Sequence, residues 1–162
     1  MKARTRTVQE MLMEEAIALS VKNVQENEGG PFAALVVKNG TIISRGTNLV
    51  TSLNDPTAHA EIMAIREASR ALKTFSLSGC EIYTTCEPCP MCLGAIYWAR
   101  LERIYYGNSR AEAAQIGFDD NLIYEEISRT LSQRRIPVVR LLANEAATAF
   151  RAWEQKEDKK RY

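Results

Sequence analysis

His59-Ala60-Glu61 and, after one helix-sized and one strand-sized interval, Cys86-Glu87-Pro88-Cys89-Pro90-Met91-Cys92 form the stretch around which this chain is arranged. It holds the only histidine and three of the four cysteines. Imidazole nitrogen and thiolate sulfur suit a borderline-soft divalent ion such as zinc, and His59, Cys89 and Cys92 supply three such ligands while leaving a fourth position open for water. An ion held in that way pulls the pKa of a bound water from ~15.7 towards ~7, which makes a nucleophile available at neutral pH. Glu61 is then the proton carrier. Residues two apart in a regular helix point to nearly opposite sides, so His59 and Glu61 converge only in a helix's first turn. Asn54-Asp55-Pro56-Thr57 offers such a start: a turn, side chains able to cap free N–H groups, and a proline suited to the first helical positions. Pro88 and Pro90 mark a second helix start at the cysteines, where the helix dipole stabilises thiolates as well.

A closed structural cage is the competing reading. Cys86, Cys89 and Cys92 with His59 would complete it, and Glu61 would be only a surface helix residue. The open three-ligand site is preferred, because structural sites more often show two paired ligand clusters and need no carboxylate beside the histidine.

At 162 residues the chain is expected to be one domain, large enough to bury roughly 68–70% of its unfolded surface without help from a metal. Lys+Arg 21 against Asp+Glu 20 gives a formal charge of +1, which provides no strong field for nucleic acid or an anionic membrane. Small, weakly charged substrates are favoured and nucleic acid is not expected as a partner. The basic start Met1-Lys2-Ala3-Arg4 leads into a mixed-charge amphipathic segment, and no apolar run approaches the ~20 residues of a membrane span. The expected location is the cytoplasm, in agreement with three cysteines clustered at metal-like spacing, and Cys80 reads as a small core residue.

Outside the central stretch, Val8, Leu12, Ala16 and Leu19, with Ile17, Val21 and Val24 beside them, predict an amphipathic helix from Val8 to about Asn27. Phe32 to Val37 is a short apolar run that reads as a buried strand, and Asn39-Gly40 predicts a hairpin returning over Thr41 to Arg45. A polar loop leads into the first ligand-bearing helix, roughly Thr57 to Leu72. Strands follow at Glu81 to Thr84 and Arg103 to Gly107, on either side of a helix from Met91 to Arg100. Helical patches between Arg110 and Gln133 are interrupted by Gly117-Phe118-Asp119-Asp120; Pro137 to Leu142 reads as a fifth strand, and a last helix covers about Asn144 to Lys156. This order predicts an α/β fold, a three-layer α/β/α sandwich around a mixed five-stranded sheet. The first two strands pair antiparallel, and the others, reached by helical crossovers, run parallel.

H-x-E followed by P-C-x-x-C is the signature of zinc-dependent nucleobase deaminases, whose glutamate is acid and base and not a ligand. At these residues the chain resembles the cytidine deaminase superfamily. Within it the chain looks most like the bacterial guanine deaminases, through Gly29-Gly30-Pro31-Phe32, Asp55 to Glu61, Cys86 to Arg100, Gly117-Phe118-Asp119-Asp120, and the tail from Phe150-Arg151-Ala152-Trp153 to Tyr162. Ala33 stands where that family commonly has glycine. The resemblance implies a cytidine deaminase-like fold, one Zn2+ per chain, hydrolysis of guanine to xanthine and ammonia, and a homodimer. It also implies a single domain over residues 1–162 whose tail, about 144–162, packs on or exchanges with a partner subunit. Guanosine, another nucleoside or nucleobase, or the anticodon adenosine of tRNA stands as the alternative substrate.

Other residues join the candidate site with bland readings beside them. Asn48 has an amide that matches a purine edge, or is a turn asparagine. Phe32 and Trp98 are stacking partners for a base, or ordinary core aromatics. The resemblance adds Ala60 to the substrate contacts, makes Asp120, by default a capping residue, an acceptor for the guanine amine or N1–H, and gives the terminal Tyr162 a role in closing an active site.

Overall fold

The computed structural model describes residues 5–162. Met1-Lys2-Ala3-Arg4 lies outside them. Two compact units make up the chain, one reaching to Asp120 and one covering Asn121–Tyr162.

In the first unit, helix α1 spans Val8–Gln25. Thr7 starts it: its hydroxyl accepts the Glu10 N–H at 3.2 Å, and the Glu10 carboxylate accepts the Thr7 N–H at 2.8 Å, so each end of this box satisfies a donor that the helix leaves free. Leu12, Ala16, Ser20 and Asn23 form the buried face. Val8, Ile17, Val21 and Val24, expected to pack beside it, stand exposed. A helix lying on one face of a sheet buries a single stripe about 100° wide, and these side chains fall outside it.

Strands β1 (Ala33–Lys38) and β2 (Thr41–Thr47) form the hairpin across Asn39-Gly40, where φ is 50° and 76°. Both turn positions thus take the left-handed conformation that a two-residue hairpin loop requires. A bulge shifts the register after Val36, which faces Ser44 while Val37 faces Ile42. Strands β3 (Cys80–Cys86) and β4 (Arg103–Asn108) complete a sheet of order β2-β1-β3-β4. β1 is antiparallel to both β2 and β3, and β3 is parallel to β4. β2, β3 and β4 therefore run in one direction, as helical crossovers demand, and β1 alone runs against them.

Among the described residues the sheet has four strands and not five. Pro137 to Leu142 belongs to no ladder, and Val138, Val139, Leu141 and Leu142 are all exposed. An apolar, β-branched run has the propensity for a strand, but a strand exists only when a neighbour takes its N–H and C=O groups, and Pro137 lacks one of those donors.

A short helix α2 (Val50–Leu53) occupies what reads in sequence as a polar loop. Helices α3 (Ala60–Leu72) and α4 (Pro90–Trp98) cover one face of the sheet and α1 covers the other. Alternate strand residues serve the two layers. Ala34, Val36 and Ile82 pack with Ala60, Ala64 and Ala68 of α3, whereas Leu35, Val37 and Tyr83 pack with Leu12 and Ala16 of α1. Because both faces are covered, β1 reads as an unbroken apolar run and not as an alternation. The alanine stripe brings α3 very near β2. A Cβ on Gly46 would stand 2.2 Å from the Ala60 carbonyl oxygen and 2.4 Å from the Ala64 nitrogen, and the Ser44 hydroxyl donates to the Ala64 carbonyl at 2.7 Å.

Helix α5 (Arg110–Gln115) follows β4 with its own capping box, Ser109 and Glu112. The second unit contains α6 (Asn121–Ser128), a 3-10 turn at Leu131–Gln133 and α7 (Ala143–Gln155). Among the described residues, no helix is long and apolar enough to cross a membrane.

Candidate active site

Since β2, β3 and β4 share a direction, their carboxyl ends lie on one edge of the sheet, together with the start of the opposed β1. Open α/β sheets bind ligands at such an edge. The loops carrying Phe32, Asn48, His59, Cys86 to Cys89 and Asn108 all emerge there.

Two helix starts bring the metal-ligand types together by the same local device. His59 is the N-cap of α3, with φ −70° and ψ 153°, and Cys89 is the N-cap of α4, with φ −66° and ψ 168° and Pro90 next to it. An N-cap residue is extended, so its side chain escapes the angular spacing of the helix. His59 thus faces the same space as Glu61, which the two-residue separation would otherwise forbid. The helix begins at Ala60 and not at Thr57, because Asp55 shapes the preceding turn: its carboxylate accepts the Thr57 N–H at 2.8 Å and the Thr57 hydroxyl at 2.7 Å. The His59 ring and the Cys89 thiol point at each other across the gap between the two helix starts.

His59 Nδ1 is 3.6 Å from Cys89 Sγ and 3.6 Å from Cys92 Sγ, and the three ligand atoms all lie within 4.8 Å of one another. Zinc bond lengths of about 2.3 Å to sulfur and 2.0–2.1 Å to nitrogen give a tetrahedron whose nitrogen–sulfur edge is about 3.6 Å. The donor set and its spacing therefore fit zinc, with Nδ1 as the ligand nitrogen. Cys86 is outside this group. Its thiol lies 3.9 Å from the Ser109 carbonyl, and burial pushes its pKa up to about 11. Within the trio a hydrogen bond from Cys92 holds the Cys89 thiol down to about 4, with His59 assisting, while the same bond with Cys89 raises Cys92 and the bond to Cys89 raises His59. Glu61 is 6% exposed, and burial pushes its carboxyl above the usual range against the pull of its own backbone N–H.

The surrounding residues fall into place unevenly. Asn48 is 6% exposed; its Oδ1 accepts the Gly30 N–H at 3.2 Å and the Val50 N–H at 3.3 Å. Two N–H donors fix which end of the amide is oxygen. The acceptor half is therefore spent on the backbone, and only the Nδ2 donor makes no hydrogen bond among the described residues. Phe32 is half-buried just before β1 and forms a T-shaped pair with Phe118, with ring centroids 4.8 Å apart and planes at 89°. Asp120 has its pKa raised by burial; Arg110 opposes this, and the nearby Cys89 thiolate adds to it. Ala60, the first residue of α3, is buried. Trp98 is 68% exposed at the far end of α4 from Cys89, about 13 Å along the helix axis, so the chain does not bring it to the ligand trio. Tyr162, in the second unit, is 71% exposed.

Three supports escape a sequence reading centred on ligands. Gly46 admits the first turn of α3, and Glu87 accepts the Arg110 N–H at 3.1 Å, which ties the cysteine loop to α5. Asn23 is a buried amide on α1. A signal for it existed, since Leu12, Ala16, Ser20 and Asn23 follow helical spacing and two of the four are polar.

Comparison with known proteins gives concordant findings. Residues 6–108 match the family model described as the cytidine and deoxycytidylate deaminase zinc-binding region. The chain is 46% identical over 153 residues to guanine deaminase of Bacillus subtilis, covering 94% of this chain and 98% of that protein. The X-ray structure of that enzyme superposes with a TM-score of 0.92 at the same coverage. A guanine deaminase of Nitrosomonas europaea superposes with a TM-score of 0.68 at 33% identity, over 90% of this chain and 84% of that one. The tRNA-specific adenosine deaminase of Bacillus subtilis is 40% identical over 120 residues, 74% of each protein.

Proposed function

The chain belongs to the cytidine and deoxycytidylate deaminase zinc-binding family, and from that membership we propose that it is a zinc-dependent guanine deaminase, a hydrolase producing xanthine and ammonia. One observation carries the chemistry: two thiols and one imidazole meet at zinc-ligand spacing beside a buried carboxyl. The substrate follows from near-full-length likeness to the Bacillus subtilis enzyme. A tRNA substrate is not favoured, because the adenosine deaminase relative covers less of the chain and a formal charge of +1 offers little to phosphates.

Bound zinc supplies the activation of water at neutral pH. Glu61 would take one proton from the attacking water as its oxygen bonds to C2 of guanine and deliver it to the adjacent ring nitrogen, then take the remaining proton of the hydroxyl added at C2 and pass it to the amine, so that the C–N bond breaks and ammonia leaves as the carbonyl of xanthine forms. Its burial suits this task, since a carboxyl held above its usual range is a stronger base than an exposed one. Phe32 stacks on the base, braced edge-on by Phe118. Asn48 donates through Nδ2 to a purine acceptor. Asp120 accepts from N1–H or the amine, and Ala60, whose N–H at the helix start has no acceptor within α3, is a further donor.

The working form is a cytoplasmic homodimer of a single deaminase domain. Exposed Tyr97 and Trp98 on α4, and Phe150, Trp153 and Tyr162 in the tail, support burial of aromatic surface against a partner, with Trp98 and Tyr162 serving a site only in the assembly. Ammonia release from guanine, guanosine, adenine and cytosine, with zinc content measured in parallel, tests the proposal. Guanine is expected to react, and adenine to fall behind by ~10,000-fold or more because it leaves buried polar groups unpaired. Zinc-loaded protein that ignores guanine would overturn it.

A further inference from the structure

We infer that Asn23, at the end of α1, is a positioning residue for the substrate pocket: its one amide group sets the orientation of Asn48 and of the segment leading into Phe32. The inference rests on the guanine deaminase reading above. Asn23 is 4% exposed, and its Nδ2 uses both hydrogens, donating to the Gly30 carbonyl at 3.0 Å and to the Asn48 carbonyl at 2.9 Å. Its own carbonyl accepts the Glu28 N–H at 3.1 Å, which closes the turn leaving α1.

The two backbones that Asn23 joins are already locked to one another. Gly30 donates to Asn48 Oδ1, the Asn48 N–H donates to the Phe32 carbonyl at 3.0 Å, and a Cβ on Gly29 would stand 2.1 Å from the Asn48 carbonyl oxygen. Asn48 thus has its backbone oxygen held by Asn23, its backbone N–H by Phe32 and its side-chain oxygen by Gly30 and Val50. Only Nδ2 is left for a ligand, and its direction is decided by these four contacts. Removing the Asn23 amide leaves two backbone acceptors without their shared donor at the point where the loops meet. The pair of loops then loses its common anchor, and the Asn48 donor and the Phe32 ring drift together. None of the zinc ligands, nor Glu61, is bonded to Asn23, so substrate recognition should suffer while metal binding and the chemical step are spared.

The experiment compares the intact protein with Asn23→Ala, Asn48→Ala and the double variant, reading zinc content, the KM and kcat for guanine, and guanine affinity by calorimetry in a Glu61→Gln background that does not turn over. Asn23→Ala is expected to keep its zinc and to lose at least tenfold in kcat/KM through KM, with a matching loss of affinity. In the Asn48→Ala background the same change should add less than about threefold, since the residue acts through the group already removed. Asn23→Ser, which retains one donor, should fall between the two and serves in place of Asn23→Ala if that protein does not fold. Unchanged KM, zinc lost together with activity, or fully multiplicative effects of the two substitutions would each overturn the inference. Absence of guanine turnover by the unaltered protein would instead refute the reading on which it stands.

Discussion

Glu61 and Cys86 carry the chemistry's sharpest residue-level consequences. Glu61→Gln keeps the shape of a buried side chain but cannot shuttle a proton, so the variant is expected to hold zinc and fold normally while losing roughly 100- to 10,000-fold in turnover. Metal analysis beside an ammonia assay checks it, and near-normal turnover would remove Glu61 from the mechanism. Cys86 and Cys89 make a paired test. Cys89→Ser should abolish zinc binding, whereas Cys86→Ser should not, because the Cys86 thiol lies against the Ser109 carbonyl and outside the ligand trio. Equal loss of metal from both would favour the closed cage. Much of this was legible from residue types, since softness, ligand count and the spacing of two cysteines are properties of a few neighbouring letters. Asn48 was legible only in part: its amide makes it a candidate purine reader, but that its oxygen is consumed by Gly30 and Val50 depends on where a distant loop folds.

At the level of elements, the contact that matters most is α3 against β2. Three alanines and Gly46 let the helix approach until its first carbonyl meets the strand, and Ser44 closes the contact with a hydrogen bond. Gly46→Ala would place a methyl against backbone, which cannot rotate away as a side chain can. We expect it to cost about 1–3 kcal/mol, in the range of overpacked cores, and to weaken zinc binding because the first turn of α3 carries His59 and Glu61. Denaturant unfolding with a zinc-competition titration measures both; wild-type values in each would show that the helix accommodates the methyl. The hairpin and the start of α4 were readable because Asn-Gly and Cys-Pro act on the backbone within one or two residues, whereas Asp-Pro marked only a turn and α3 begins beyond it at Ala60. The supposed fifth strand was not. Its residues have strand propensity, but no local feature says whether another strand will be there to pair with it.

For the whole molecule, the exposed aromatics on α4 and in the tail set the prediction. Light scattering at micromolar concentration should give twice the 18.2 kDa chain mass, and the monomer mass would contradict it. Deleting Lys159 to Tyr162 should lower guanine turnover far more than thermal stability, because terminal residues seldom hold a core together. Guanosine, with bulk at N9, should be a poor substrate of the intact protein; preference for it, or full guanine activity without the tail, would refute a pocket closed by Tyr162. What the sequence by itself determined was the metal-ligand set, the hairpin and, apart from the short α2, the alternation of strands and helices from Ala33 to Asn108, all encoded in chemical type and short-range backbone preference. Tertiary structure alone decided that β1 lies between β2 and β3, that four strands and not five make the sheet, and that Asn23 and Gly46 hold the pocket's loops and first turn. Those outcomes depend on groups far apart in the chain, where the free energy lies in mutual packing and paired hydrogen bonds, and neither partner alone carries a mark of the other.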